Sequence, residues 1–267
     1  MRLTPEQIRD YEEHGVLVVP DVFTADEVAA IRGALDEDGE CEGPHRVMED
    51  DGLSVRGLYA SHLRHPAMER LTRSPRLLEP ARQLVDDDVY VMQFKVNTKR
   101  GFGGGSWTWH QDYFAWLQAD GLESPRATSM TVFLTEVTEF NGPIFFVPGS
   151  QAYGVIDPRP RGAEPTSAQH VDPKDLELAA GTVGELVDRH GIVAPKGAAG
   201  SLLIFHPNVA HASSQNISPF SRDLLIVTYN ALDNAPPGRG TPRPEYLIAR
   251  PPDTGLEPVE DSMLVTA

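Results

Sequence analysis

At 267 residues, 40% hydrophobic and 23% charged, the chain has an ordinary globular composition and enough length to bury a large core. Its formal net charge of −16, with no basic tract to offset it, repels nucleic acid and anionic membranes. A single cysteine, Cys41, excludes both an internal disulfide framework and a cysteine-rich zinc site.

The first fifteen residues, "MRLTPEQIRDYEEHG", are charged and polar and lack the apolar stretch of a secretory signal. No apolar run approaches the roughly 20 residues that span a bilayer. A cytoplasmic setting is therefore expected. In "LTPEQIRDYEEHG", Thr4 caps a predicted helix, Pro5 fits its first turn, Gln7 completes a capping box and Gly15 stops it. "VLVVPDVF" predicts a short strand broken by Pro20. "TADEVAAIRGALDEDGE" predicts a second capped helix, with Val28, Ile31 and Leu35 at helical spacing and "LDEDGE" as a solvated end. "HPAMERLTRSPRLLEPARQLV" predicts two further helical pieces divided at Ser74–Pro75.

The pattern then turns to strands. "VYVMQFKVNTK", "ATSMTVFLTEV", "GPIFFVPGS", "GSLLIFH" and "RDLLIVTYNAL" all have strand length and apolar or β-branched character. Between Gln151 and Gly200 only "AGTVGELVDRHG" predicts a helix. Helices followed by many short strands point to an α+β chain with a mainly β core. The expected fold is a double-sheet jelly roll, or double-stranded β-helix of the cupin type, braced by helices within one domain over 1–267.

Nine histidines stand at 14, 45, 62, 65, 110, 170, 190, 206 and 211. His14, at a helix end, and His65, His170 and His190, in polar surroundings, need no special role. His110 differs. In "WTWHQDYFAW" it lies two residues before Asp112, and on a strand residues i and i+2 share a side. The two either hydrogen-bond each other or hold something between them. Downstream, "GSLLIFHPNVAHASSQNISPFSRDLLIVTYN" delivers His206 and His211 to a loop, and the returning strand opens with Arg222. Two histidines and a carboxylate with open positions suit non-haem Fe(II) and oxygen. A neighbouring arginine can clamp a carboxylate through a bidentate pair. A zinc hydrolase and a catalytically inactive binding module are the rival readings.

Taken in order, "GPHRVMEDDGLSVRGLYASH", "QFKVNTK", "WTWHQDYFAW", "EFNGPIFFVPGS", "HASSQNISPFSRDLLIVTYN" and "PRPEY" resemble the phytanoyl-CoA dioxygenase family of Fe(II)/2-oxoglutarate oxygenases over nearly the whole chain. Within it, the likeness is to the bacterial branch that hydroxylates free amino acids and related small solutes (leucine first, then proline and ectoine). The resemblance implies a metal triad of His110, Asp112 and His211, with His206 outside it. It places Arg222 on the far carboxylate of 2-oxoglutarate, and Asn97, Ser129 and Ser213 as further cosubstrate contacts. It places Gln93, Trp116 and Phe205 in the substrate pocket. Ala212 departs from the family's usual glycine after the distal histidine. The implied chemistry needs Fe(II), 2-oxoglutarate and O₂, with ascorbate as an in vitro reductant. Asp112 favours hydroxylation over halogenation, since related halogenases lack that carboxylate.

An amino-acid zwitterion needs a cation for its carboxylate. Arg56 and Arg243 are the candidates, with a structural ion pair as the plain alternative for each. Trp107, Trp109, Tyr113 and Phe114 are expected in the core. The partner expected is a small free amino acid, with no nucleic acid and no membrane. A strongly acidic chain without a basic docking surface also disfavours a substrate on an acidic carrier.

Overall fold

The first two helices begin where their capping residues stand. The computed structural model describes residues 1–49, 52, 55–156, 175–237 and 242–260. In chain order the elements are α1 (Pro5–His14), β1 (Val16–Val19), α2 (Ala25–Glu40), β2 (Arg46–Met48), β3 (Val55–Tyr59), α3 (Pro66–Thr72), α4 (Pro75–Val85) and β4 (Val89–Lys99). They continue as β5 (Trp107–His110), α5 (Asp112–Ala119), β6 (Ala127–Phe133), β7 (Ile144–Phe146), α6 (Ala180–His190), β8 (Leu202–Phe205), β9 (His211–Ser213) and β10 (Arg222–Ala231). Both expected capping boxes form, at Thr4–Gln7 and Thr24–Glu27, and Gly15 ends α1 in the left-handed region. His170 and residues 157–174 around it lie outside the described residues.

Seven strands form one antiparallel sheet in the order β1-β8-β6-β10-β4-β3-β2, and three form a second in the order β5-β9-β7. One face of the large sheet buries Val91, Phe94, Val132, Ile204 and Val227 against Leu71, Leu77 and Leu78 of α3 and α4. Its other face packs Leu203, Phe205, Leu224 and Ile226 against Phe146 of the small sheet. The expected jelly-roll sandwich braced by helices is thus the observed architecture. Both faces of the large sheet are covered, so its strands read as nearly continuous apolar runs.

A bulge steers the long central strand. The β4–β10 register shifts between Thr228 and Tyr229, leaving Met92 without a partner while Gln93 pairs with Thr228. Before the bulge, Val89 and Val91 face the helices; after it, Phe94 and Val96 do. Gln93, Lys95, Asn97 and Lys99 are therefore turned toward the small sheet, where the cavity lies.

The helical layer is tied by two ion pairs that join distant segments. Arg64 grips Asp38 through two bonds, Nε to Oδ1 at 2.7 Å and a terminal nitrogen to Oδ2 at 2.6 Å. Asp38 is buried, so the end of α2 is not simply solvated as its acidic run suggests: one of its carboxylates serves as a buried anchor. Glu27, which caps α2, also receives both terminal nitrogens of Arg76 at 2.9 and 2.6 Å. The Arg76 bonds outweigh burial and hold the Glu27 carboxyl down at about 2, against an ordinary 4.5. A depressed carboxylate pKa contributes stability above the unfolded value, and that stability is lost as pH falls toward the folded value. Glu27→Gln should therefore cost roughly 2–3 kcal/mol at pH 7 and much less near pH 2. Denaturant midpoints of both proteins at the two pH values check this; an equal cost at both would remove the charge from the account. Among the described residues, no helix is long and apolar enough to cross a membrane.

Candidate metal centre and its cavity

The small sheet places the two histidines opposite each other. In the β5–β9 register His110 pairs with His211, and across β7–β9 Phe146 pairs with His211. Their rings lie 4.2 Å apart between centroids. Phe205 and Phe146 pack against His211 at 5.3 and 5.7 Å.

Asp112 reaches the same point by a route the strand reading only half anticipates. The strand stops at His110, and Asp112 is the first residue of α5. Gln111 between them keeps an extended backbone, φ −119° and ψ 128°, so the side-to-side alternation persists for one more step. Gln111 points the other way and is pinned there. Its Nε2 donates to the carbonyls of Gly154 at 2.8 Å and Asn208 at 2.5 Å, and its Oε1 accepts from the Ile156 N–H at 2.7 Å. The Asp112 carboxylate also sits at a helix N-terminus, where negative charge is favoured.

Asp112 Oδ1 lies 3.6 Å from His110 Nε2 and 3.9 Å from His211 Nε2. One ligand atom from each of the three residues falls within 4.8 Å of the others. Both imidazoles are oriented by the backbone. The Nδ1–H of His110 donates to Thr108 O at 2.7 Å, and that of His211 to Val209 O at 3.0 Å. A carbonyl only accepts, so Nδ1 of each ring carries a proton and Nε2 is the nitrogen turned toward Asp112. Burial pushes His211 down to about 4, with His110 beside it adding to the effect, so it is neutral at pH 7. Burial alone would raise the Asp112 carboxyl. Lys95 and the neighbouring His110 and His211 side chains together hold it well below the carboxylate range instead. Two imidazoles and one carboxylate, buried and aimed at one point, are a donor set that fits a divalent iron.

That cavity measures about 240 Å³ and separates the two sheets beside the triad. Asp112, Ala115 and Trp116 reach it from one face of α5, and Gln93, Lys95 and Asn97 from β4. Phe205, Ser213 and Arg222 also border it, where the resemblance puts them, and so does Arg56, a candidate for the substrate carboxylate. Three expectations need correction. Ser129 is fully buried and outside the cavity wall, with its hydroxyl spent on Thr228 Oγ1 at 3.0 Å across the β6–β10 pair. Arg243 borders the cavity, but Asp120 holds both arms of its guanidinium, through Nε at 2.8 Å and through a terminal nitrogen, so it is not an uncommitted cation. Trp107, expected in the core, borders the cavity and carries the Arg56 guanidinium 5.0 Å above its ring. Trp109 and Tyr113 pack into apolar clusters as expected.

His206 stays out of the triad. Its Nδ1 accepts the Asn208 N–H at 3.0 Å, and it does not border the cavity. Lys95 was not singled out from the sequence, although "QFKVN" carries the signal. It sits midway between Gln93 and Asn97, two residues from each, on the same face of the strand. It has no ion pair or hydrogen bond among the described residues. Gln93 donates to Leu247 O at 3.1 Å, while its buried Oε1 has no partner.

The family model for phytanoyl-CoA dioxygenase (PhyH) matches residues 11–224. The chain belongs to this family. It is 34% identical to an ectoine dioxygenase of Bordetella bronchiseptica, over 98% of this chain and 88% of that one. It is equally 34% identical to the L-proline trans-4-hydroxylase of Streptomyces griseoviridis, over 95% of each. Among solved structures it resembles EctD from S. alaskensis with 2-oxoglutarate and 5-hydroxyectoine. The TM-score is 0.82 and the identity 32%, over 96% of this chain and 87% of that one. The same protein has been solved with bound Fe, at a TM-score of 0.80. As a member of the family, the chain is a 2-oxoglutarate-dependent dioxygenase that works with iron and O₂. The zinc-hydrolase and inactive-module readings give way to that finding.

Proposed function

We propose that the enzyme hydroxylates an unactivated C–H bond of a small amino-acid-like zwitterion, with cyclic substrates of the proline and ectoine type ahead of leucine. The observation that carries this is the cavity wall: cations and an unpartnered acceptor at polar positions, apolar surfaces elsewhere, and the triad at one side. The named relatives act on ectoine and L-proline, and the expected first preference for leucine has no counterpart among them.

In this reading His110, Asp112 and His211 hold Fe(II). When bound, the iron with 2-oxoglutarate and O₂ supplies the oxidising power that an amino-acid side chain lacks. The protein's own residues bind and orient. Arg222 receives the far carboxylate of 2-oxoglutarate, with Asn97 and Ser213 beside it. Lys95 and Arg56 are the cavity cations open to the substrate carboxylate, since Arg243 is committed to Asp120. Gln93 Oε1 offers an acceptor to a substrate N–H. Trp116, Phe205 and Leu247 supply apolar surface that fixes the carbon skeleton and excludes water.

Mass spectrometry of reactions with L-proline, ectoine, L-leucine, L-isoleucine and L-valine tests the assignment. Each reaction contains 2-oxoglutarate, Fe(II) and ascorbate. Proline or ectoine should gain one oxygen and leucine should react more slowly. A hydrophobic pocket separates neighbours differing by one methylene by only about 1–3 kcal/mol, so leucine turnover at a tenth to a hundredth of that rate fits the proposal. Leucine oxidised faster than both cyclic compounds would reverse the order. Failure of all five would remove the substrate class.

A further inference from the structure

Four large apolar side chains stand in water on neighbouring loops of the sandwich. Phe102, Phe140, Ile217 and Phe220 are each between 58% and 71% exposed. Their three loops touch one another. The Phe102 N–H donates to Ser218 O at 2.8 Å, and the Ile217 N–H donates to Phe140 O at 3.2 Å. Gly101 lies so close to the Pro219 carbonyl that a Cβ has no room there. The loop of residues 214–221 therefore runs between the loop that follows β4 and the loop that precedes β7. The four side chains form one exposed apolar region, and a contiguous patch of several hundred Å² on a water-soluble surface marks an interaction site.

The region is fixed in place by a buried asparagine. Asn216 Nδ2 donates to the carbonyls of Arg100 at 2.9 Å and Phe220 at 2.7 Å. Its Oδ1 accepts both the N–H and the hydroxyl of Ser218, each at 2.9 Å. Phe102 is held at φ 57°, in the left-handed region that a bulky residue enters only against strain. Loops already ordered lose little freedom on association. Three of the four side chains are aromatic, the type enriched at protein–protein interfaces.

We propose that this patch joins two copies of the chain in a two-fold symmetric dimer. Charge selects that occupant. The chain carries a formal −16, yet residues 100–106, 139–142 and 214–221 hold one cation, Arg100, and one anion, Glu139. Both are exposed and flank the central loop from its two sides. Arg100 has no ion pair among the described residues, and Glu139 has an exposed one with Lys196 at 3.6 Å. The acidic surface repels an acidic partner or an anionic membrane, whereas a second copy meets a patch of no net charge. A two-fold axis through the central loop sets that loop against itself and brings Arg100 of each copy opposite Glu139 of the other. At ~200 Å² for a large apolar side chain, the four expose roughly 500 Å² per copy. Each partner in a stable pair buries about 800 Å², and the polar rim of the same loops supplies the remainder.

Analytical ultracentrifugation of the full-length chain from about 1 to 100 µM, a range that brackets moderate association, tests this. The wild-type chain should sediment with twice the mass of one chain. Phe220→Ser and Phe102→Asn, the latter a residue that accepts a positive φ, should each raise the dimer Kd about 10-fold or more. Together they should give a monomer with unchanged circular dichroism. Arg100→Glu and Glu139→Arg should each weaken the dimer, and combining them should recover most of the loss. A wild-type chain that stays monomeric throughout overturns the proposal, including one that instead floats with uncharged lipid vesicles. A dimer that survives Phe102→Asn with Phe220→Ser also overturns it. Charge variants that do not rescue each other overturn the two-fold arrangement. If the double apolar variant does not fold, the charge pair, placed on exposed side chains, still decides.

Discussion

His110→Ala, Asp112→Ala and His211→Ala should each reduce Fe(II)-dependent turnover by about 1,000-fold or more, because each removes one of the three ligands proposed for the ion. Iron content should fall in parallel, measured by elemental mass spectrometry after anaerobic loading and desalting. His206→Ala should keep both iron and activity. His206 is half-buried in a loop and accepts the Asn208 N–H, and desolvation pushes it down to about 4, so its loss costs a turn contact and not a ligand. Iron lost from His206→Ala and retained by His211→Ala would reverse the assignment of the distal ligand.

Arg222→Leu should raise the apparent KM for 2-oxoglutarate steeply, with about 3–5 kcal/mol lost, or roughly 150- to 5,000-fold. The guanidinium is buried, and burial pulls its pKa down to about 10 against the opposing charge of Asp223, so it stays charged at neutral pH with no ion pair among the described residues. An unpaired buried cation is a cost in the ligand-free protein. The leucine variant should therefore melt at or above the wild-type temperature without 2-oxoglutarate, and should lose the rise in Tm that saturating 2-oxoglutarate gives the wild type. A structural arginine predicts the reverse, with a lower Tm and an unchanged KM. Kinetics at varied 2-oxoglutarate and melting curves with and without it separate the two.

Much of the site was legible because it is written in local spacing. The interval from His110 to Asp112 survives the change from strand to helix, because Gln111 remains extended and anchored on the opposite side. The capping boxes at Thr4 and Thr24 and the break before Pro75 are likewise contacts within a few residues, so the sequence alone determined them. The alternation of "QFKVN" would also have exposed Lys95, had parity been followed from Gln93 to Asn97.

Other features depend on which strands meet, and in what register. His211 and not His206 joins the triad because β9 pairs with β5 at His110, a match the loop sequence leaves open. Asp120 neutralises Arg243 across 123 residues, and Arg64 draws Asp38 out of water across 26, and neither pairing has a local signature. Ser129 shares the cross-strand row of Thr228 and Phe205, yet its hydroxyl is taken by Thr228, since both residues lie in the interior of the large sheet. The bulge between Thr228 and Tyr229 fixes which residues of β4 meet the cavity, and the same ladder sets Lys99 against Arg222. Local hydrogen bonds and periodicity are properties of short segments and can be read in one pass. Counter-ions, cavity walls and unpaired buried charges are properties of the closed sandwich, and only the tertiary structure decided them.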